Sequence, residues 1–378
     1  MATLHAKLSA SGSSRWLNCP GSVKAEEGFT DKGSAFAFEG TCAHELAELA
    51  LTNNQHCSEW VDKPLIENNQ HTVDQAMADY VQIYVDYVRQ FSGHHLYEVQ
   101  VDFSDWVPEG FGTSDALIVA DNVLHVIDLK YGKGVKVDAA NNTQGMLYAL
   151  GAIADYGDLF AFDKIQITIV QPRLDHIDEW EISLPDLLKW GEWVRQRAEL
   201  ALSDNAERSP GEKQCQWCKA KAVCPKLKAH TEKLILSDFD DLELTSPERL
   251  TDAQLREALE NKKLICGWLD AVESYVTNKL EAGEHFDGFK LVAGRSLRQW
   301  INEDGAAEVL QLELEDRAFT KKLISPAQAE KALGKKRADV LTDLICKPEG
   351  KPTLAPESDP RPAMNITQND FDCLTTDE

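Results

Sequence analysis

The spacing of apolar residues divides the first 235 residues of the chain into helices and strands. Apolar residues recur every three or four positions in a helix that packs on a core, whereas strands alternate or carry runs of β-branched residues. The helical spacing predicts helices over 36–51, 73–90, 141–154 and 184–204. The strand patterns lie at 97–103, 114–120, 123–129 and 165–171. Two helices, a three-strand meander, and then a helix, a strand and a helix predict a mixed α/β core.

A short turn predicts how two of these strands pair. Asp121 and Asn122 alone separate the strand at 114–120 from the strand at 123–129. Asp and Asn tolerate the left-handed backbone that two-residue hairpin loops require. We therefore expect the two strands to form an antiparallel hairpin.

The rest of the chain has a different character. Beyond a cysteine-rich segment at 214–225, the spacing predicts one long helix, a small hairpin and several shorter helices, over 251–281, 289–301 and 305–346. The last residues contain five prolines and no periodicity, which is typical of a disordered segment. We predict three parts: an α/β domain that includes the cysteine-rich segment over 1–235, a mainly helical accessory domain over 236–346, and a disordered acidic tail over 347–378.

The charge of the chain restricts how it can bind nucleic acid. The formal net charge is -24, from 39 Lys and Arg against 63 Asp and Glu. An acidic chain is repelled by phosphate at long range, although a local basic groove can still bind it. Lys133, Lys136 and five lysines within 213–228 can form such a surface, or simply a solvated charged face.

The apolar runs indicate a compartment. We find no run of about 18 apolar residues, which a transmembrane helix needs, and no basic region followed by an apolar run at the N-terminus. We therefore expect a cytoplasmic protein with no membrane partner.

Two acids and a lysine on neighbouring predicted strands form the main chemical signal. Asp115 ends the motif Gly-Thr-Ser-Asp, and Asp128 and Lys130 form Asp-Leu-Lys at the end of the next strand. Side chains two apart on a strand share a face, and the hairpin brings Asp115 alongside them. Two carboxylates can hold a divalent ion, while a lysine can orient water or offset phosphate charge. A surface ion pair on a half-exposed strand explains the same pattern.

Four further side chains can complete such a site. His44 lies in the first helix, and Gln144 and Tyr148 share one face of the helix that follows the Asp-Leu-Lys strand. Glu98 is near the start of the first strand, where it is either another acid near the metal or a solubilising charge. A lone helical histidine and a Gln–Tyr pair are also common without any function.

The cysteines form a second signal. Cys215, Cys218 and Cys224 lie close together, and Cys19 is the best candidate for a fourth ligand. In a reducing compartment, clustered cysteines bind metal more often than they form disulfides. Their spacing is compatible with a four-cysteine zinc site and with a [4Fe–4S] cluster.

The ordered motifs resemble those of RecB-type PD-(D/E)XK nucleases. The resemblance covers roughly residues 9–228 and rests on the motifs Gly40…His44, Gly112-Thr-Ser-Asp115, Asp128-Leu-Lys130 and Gln144…Tyr148. It implies a restriction-endonuclease-like mixed sheet flanked by helices. The second acid is Asp128 where many members have Glu, which is a mild departure. The run Asp-Leu-Lys-Tyr-Gly-Lys-Gly over 128–134 is similar to a phage and prophage branch of this superfamily.

The resemblance also implies roles for single residues. Under it, Mg²⁺ or Mn²⁺ is bound by His44, Asp115, Asp128 and the carbonyl oxygen of Leu129. Lys130 is the catalytic lysine, and Gln144 and Tyr148 complete the site. One cysteine before the nuclease core and three after it resemble the layout of AddB-type and CRISPR-adaptation nucleases with iron–sulfur clusters. This implies a structural [4Fe–4S] cluster on Cys19, Cys215, Cys218 and Cys224, with zinc as the alternative.

The expected function is therefore a metal-dependent DNA nuclease, specifically an exonuclease in phage recombination or replication. Its partners would be DNA and a phage single-strand-binding or recombination protein, in the cytoplasm of the bacterial host. The net charge of -24 motivates an alternative. In that alternative the chain is a non-catalytic scaffold that retains a nuclease fold and recruits replication or recombination proteins.

Overall fold

The computed structural model describes residues 6–29, 35–65, 71–236 and 252–291. All of them belong to the first of two compact units, Met1–Val292 and Ala293–Glu378. The predicted helices over 305–346, the tail, and most of the hairpin over 289–301 lie outside the described residues. The division into three parts stays a prediction.

A five-stranded mixed sheet forms the centre of the described chain. Its strands follow one another in chain order across the sheet: β1 His94–Asp102, β2 Phe111–Ala120, β3 Val123–Leu129, β4 Lys164–Gln171 and β5 His176–Ser183. Neighbouring strands are antiparallel except β3 and β4, which are parallel. A parallel pair needs a long crossover connection, and a helix provides it here. The predicted α/β class is thus confirmed.

Helices cover both faces of the sheet. They are α1 Ser13–Asn18, α2 Ser22–Ala25, α3 Ala35–Thr52, α4 Gln75–Arg89, α5 Thr143–Tyr156, α6 Leu184–Leu202, α7 Glu212–Gln216, α8 Pro225–Leu236 and α9 Asp252–Glu281. One hydrophobic cluster joins α1, α5 and α6 to one face of the sheet, and a second joins α3 and α4 to the other. Two separate cores therefore hold the sheet between helical layers.

The hairpin prediction is confirmed in detail. Residues 116–120 of β2 pair antiparallel with 123–127 of β3. Asp121 and Asn122 have φ angles of 50° and 59°, the left-handed values expected for this kind of turn. The turn therefore sets the register that brings the two acidic strands together.

The edge strand β5 was not predicted. Its inward positions carry His176, Asp178, Trp180 and Ile182, and only the last two pack against the apolar cluster. Acidic residues are uncommon in strands, so the local pattern obscured the alternation. Pairing with β4 along the whole length of β5 forms the strand.

Candidate active site

The acids of β2 and β3 are linked through the backbone. Leu129 N donates a 2.6 Å hydrogen bond to Asp115 Oδ2, which places Asp115 beside the end of β3. The side chain of Asp115 is 11% exposed and that of Asp128 is 4% exposed. A buried carboxylate needs a cation or several donors, so both acids depend on their neighbours.

A chain of polar contacts runs from β3 to α5. Lys130 Nζ lies 2.8 Å from Asp128 Oδ2 and donates to Gln144 Oε1 at 3.0 Å. Gln144 Nε2 in turn donates to the hydroxyl of Tyr148 at 3.1 Å. Asn142 caps α5 by accepting from Gly145 N, and this fixes Gln144 in the first turn of the helix. The four residues predicted from the motifs thus lie in one connected group.

A second group of ligand atoms meets at Asp115. His44 Nδ1, on α3, lies 3.3 Å from Asp115 Oδ1 and 3.7 Å from Glu98 Oε1, on β1. One ligand atom from each of the three residues lies within 4.8 Å of the other two. One imidazole and two carboxylates at this spacing can bind a divalent cation.

Glu98 reaches this group through an unusual backbone. Its φ is +43°, a left-handed value that is rare for a residue in a strand. The ladder between β1 and β2 passes from Tyr97–Ala116 to Val99–Ser114 without pairing the residues between them. Leu96 and Val99 also pack on the same cluster although they are three residues apart. The alternation is therefore interrupted at Glu98, opposite Asp115.

Burial and opposite charges shift the pKa values of the ionisable groups. Burial alone would lower the pKa of His44, but the Asp115 and Glu98 carboxylates raise it to about 10. Although burial opposes ionisation of Asp115, the charges of His44 and Lys130 hold its pKa below the usual range. Burial raises the pKa of both Glu98 and Asp128. The His44 side chain therefore offsets part of the negative charge of Asp115 and Glu98, as a bound divalent ion would.

The sequence motifs assign Asp128 to the metal ligands, whereas the structure places it against Lys130. Its carboxylate contacts Lys130, whereas the group of mutually close ligands contains His44, Glu98 and Asp115. Asp128 Oδ2 is buried 2.8 Å from Lys130 Nζ, and Lys130 Nζ donates to Asp128 Oδ1 at 3.0 Å, so a metal-binding role for Asp128 stays a prediction. Leu129 contributes its N–H to Asp115, and a metal-binding role for its carbonyl oxygen stays a prediction.

The four predicted cluster cysteines line one cavity. Cys19 follows α1, and Cys215, Cys218 and Cys224 lie in or beside α7 and the turn after it; all four border one small cavity of about 20 Å³. Cys19 Sγ accepts from Ser209 N at 3.2 Å, and Cys215 Sγ accepts from Gly211 N at 3.5 Å. Backbone N–H groups that point at sulfur stabilise thiolate ligands.

The spacing of these sulfur atoms is also informative. Among the described residues, no three of the four lie within 4.8 Å of one another. Burial raises the pKa of Cys19, Cys215 and Cys218, reaching about 12 for Cys218. A bound metal would be needed to hold these thiols as thiolates at neutral pH.

Comparison with known proteins places the chain in a family. A family model described as "Protein of unknown function (DUF2800)" matches residues 5–362. The chain belongs to the DUF2800 family. A solved structure described as "Crystal structure of SSO0001" is 19% identical to the DUF2800 chain, and the match covers 57% of this chain and 85% of that one. Its TM-score is 0.26, so the likeness carries no structural argument.

Glu98 is the residue of this DUF2800 protein that sequence motifs left undecided. Nothing local distinguishes it from an ordinary acid on a strand, and only its place in the unpaired break of the β1–β2 ladder, opposite Asp115, gives it a ligand position. Within the described residues of the DUF2800 chain, no helix has the length and apolar character to cross a membrane.

Proposed function

We propose that this DUF2800 protein is a metal-dependent deoxyribonuclease. One observation carries the proposal: the ligand group of His44, Glu98 and Asp115 meets at Asp115 on β2, and β2 pairs with β3, which ends at the Asp128–Lys130 pair. Hydrolysis of a phosphodiester requires an ion held by hard ligands and a cationic side chain near the same phosphate. The meeting of α3, β1 and β2 at Asp115, beside Lys130 at the end of β3, supports both requirements.

The acidic residues and His44 would bind the metal ion. His44, Glu98 and Asp115 would hold Mg²⁺ or Mn²⁺, and we propose Asp128, on the neighbouring strand, as a further ligand. When bound, such an ion polarises a phosphoryl oxygen and lowers the pKa of water. His44 must lose its proton to bind the ion.

Lys130 supplies the positive charge of the site. Asp128 and Asp115 raise the pKa of its ammonium group although burial opposes this, so Lys130 stays protonated at neutral pH. A fixed ammonium group stabilises charge that develops on the phosphate. Gln144 and Tyr148 hold Lys130 from the helix side and restrict its rotamers.

The cysteine cavity suits a [4Fe–4S] cluster better than zinc. Tetrahedral zinc with a Zn–S distance of about 2.3 Å places sulfur atoms about 3.8 Å apart. The four thiolates of a [4Fe–4S] cluster bind four different irons and so lie farther apart. The wide spacing of the cysteines supports the cluster.

The cluster has a structural role in this proposal. It would join Cys19 near the start of the chain to the segment that follows α6. The same two segments already meet through Gly21 N and Glu207 O at 2.9 Å, and through Lys219 N and Glu26 Oε1 at 2.7 Å. The cysteine ligands therefore lie on two segments that are already in contact without a bound cluster.

The finer part of the proposal concerns substrate and setting. We propose an exonuclease that acts on DNA in phage recombination or replication, in the cytoplasm of the bacterial host, beside a single-strand-binding or recombination protein. The formal net charge of -24 favours a second candidate, a scaffold without activity. An acidic chain gains less from nonspecific phosphate contacts and would rely on a protein partner to reach DNA.

Digestion of end-labelled linear DNA and matched closed circles with Mn²⁺ tests the function. We expect the wild-type protein to degrade linear DNA, and Asp115→Asn and Lys130→Met to lose at least 100-fold in rate. The exposed Asp158→Asn controls for the loss of one carboxylate. Cleavage of circles as well would indicate an endonuclease. Activity that survives in both site variants would refute this active site, and no cleavage by any protein would favour the scaffold.

A further inference from the structure

The loop that joins β3 to α5 is held by polar side chains of the neighbouring strands. This loop, residues 130–142, contains no helix or strand. Gln171, at the end of β4 and 1% exposed, accepts from Val137 N at 2.7 Å and donates to the carbonyl of Val135 at 3.0 Å. A fully paired buried amide fixes the backbone that it contacts.

The strand β5 contacts the same loop with two more side chains. Asp178 Oδ2 accepts from Ala139 N at 2.7 Å, and His176 Nε2 lies 3.3 Å from the carbonyl oxygen of Val137. His176 and Asp178 are two apart on the strand, so they point to the same side of the sheet. Both therefore face the loop between residues 137 and 139.

Asp138 lies between these two anchored backbone positions. One ligand atom each from Asp138, His176 and Asp178 lies within 4.8 Å of the other two. We infer that these three residues, here called the loop cluster, form a second divalent-cation site that is separate from the active site. None of them belongs to the group around Asp115.

The hydrogen bonds of the loop cluster are those that metal ligands make. Because Nε2 of His176 faces a carbonyl acceptor, Nε2 carries a hydrogen and Nδ1 is the ring nitrogen left to bind an ion. Imidazoles that bind metals characteristically donate their other N–H to a backbone carbonyl or a carboxylate. Asp178 likewise uses one oxygen for Ala139 and keeps the other open.

The ligand types restrict the ion. One imidazole nitrogen and two carboxylates suit a first-row divalent ion such as Mn²⁺. Asp138 is exposed, so water can complete the coordination shell. Lys136 Nζ lies 4.0 Å from Asp138 Oδ1, and this single ammonium group offsets only part of the charge of Asp138 and Asp178.

An ion bound at the loop cluster would affect the loop that connects Lys130 to α5. The loop begins at Lys130 and ends just before Gln144, so it links two residues that must stay in contact at the active site. An ion bound to Asp138, His176 and Asp178 would tie the middle of the loop to β5. It would also limit the movement of Lys133 and Lys136, which lie on the loop. Cation occupancy of the loop cluster would therefore regulate the order of the loop.

A Mn²⁺ titration of the full-length protein tests the inference. The starting protein carries His44→Ala and Asp115→Asn, which remove two ligands of the active-site group, and its cysteine site is loaded anaerobically. Mn²⁺ alone is the probe, since a hard ion competes poorly for thiolates. Free Mn²⁺ is followed by electron paramagnetic resonance. We expect about one retained ion per chain, and at least tenfold weaker binding after addition of Asp138→Asn or His176→Ala.

The exposed Asp175→Asn, on the turn before β5, is the matched control and should bind Mn²⁺ as the starting protein does. Absence of a retained ion, or equal affinity in the Asp138→Asn protein, would overturn the inference.

A second measurement uses the wild-type chain. Mn²⁺ should slow trypsin cleavage after Lys133 and Lys136. Asp138→Asn should abolish that protection, whereas Asp175→Asn should keep it. No protection in the wild type would contradict a cation site at the loop cluster. Neither readout depends on DNA cleavage, so the nuclease proposal can fail independently.

Discussion

Lys130 Nζ lies 3.0 Å from Gln144 Oε1, and this contact connects the end of β3 to the first turn of α5. The same ammonium group lies 2.8 Å from Asp128 Oδ2. Lys130 is therefore oriented by an acid on one side and an amide on the other before any substrate binds. Its side chain is 29% exposed, so it remains open to a ligand.

Replacement of Lys130 by Met should lower the free energy of unfolding, measured in the absence of DNA and metal ions. The 4% exposed Asp128 would lose its cation, and we expect a cost of about 1–3 kcal/mol in the free energy of unfolding. Addition of Asp128→Asn should recover at least half of the loss. Urea unfolding in a chelator measures both. Lys164→Met, at an exposed pair with Glu181, is the control and should change stability by at most about 1 kcal/mol. Equal effects of the two Lys variants would contradict the buried pair.

The backbone of Glu98 predicts a conflict between stability and metal binding. Its φ of +43° favours glycine, so Glu98→Gly should be about 1 kcal/mol more stable than Glu98→Ala, which keeps the strained backbone. Both variants lose a carboxylate of the ligand group, and in an Asp138→Asn background, which removes the loop cluster, each should bind Mn²⁺ at least tenfold more weakly than Asp138→Asn alone. Urea unfolding and calorimetric titration separate the two effects. If Glu98→Ala left Mn²⁺ binding unchanged in the Asp138→Asn background, Glu98 would not be a ligand.

His125 should make the fold sensitive to acid. It is 7% exposed, its Nδ1 has no hydrogen-bond partner, and burial lowers its pKa below 6.5. Between that lower pKa and 6.5 the unfolded chain binds a proton that the folded chain does not, so stability falls as the pH drops below 6.5. The slope is at most about 1.4 kcal/mol per pH unit.

Replacement of His125 by Leu removes this group. From pH 7 to pH 5.5, the stability of the variant relative to the wild type should rise by up to about 1 kcal/mol. Urea unfolding at a series of pH values gives the difference, and the exposed His94→Leu controls for the loss of one histidine. Parallel pH profiles for wild type and His125→Leu would show that His125 contributes nothing to acid sensitivity.

The cysteine cavity predicts the behaviour of two serine variants. Protein purified without oxygen should be coloured and contain about four iron ions per chain. Cys19→Ser should lose colour and iron together, whereas Cys266→Ser, at an exposed thiol on α9, should keep both. Iron analysis and visible absorbance measure these outcomes. A colourless wild-type protein with about one zinc ion per chain would replace the cluster by a zinc site.

Loss of the cluster should also loosen the two segments that it joins. Cys19→Ser should raise the rate of limited proteolysis near residues 19–28 and 207–224, since only a few hydrogen bonds such as Gly21 N to Glu207 O remain. Cys266→Ser again serves as the control. Equal cleavage rates in the two variants would mean that the metal does not hold these segments together.

The sequence by itself determined the parts that depend on local rules. The turn at Asp121 and Asn122 sets the β2–β3 register, and period-two alternation places Asp128 and Lys130 on one face. Helix spacing predicted α3 and α5 to within two residues at each end. These features follow from backbone sterics and side-chain periodicity over fewer than about 20 residues, and such patterns are visible in a single chain.

Only the tertiary structure decided which acids share a ligand site. Glu98 and Asp115 meet because β1 and β2 pair with a break in alternation, and His44 reaches them because α3 packs on the sheet. The edge strand β5 and the loop cluster likewise depend on pairing with β4. Contacts between distant segments depend on packing free energy and strand pairing summed over the whole domain, which no local pattern contains.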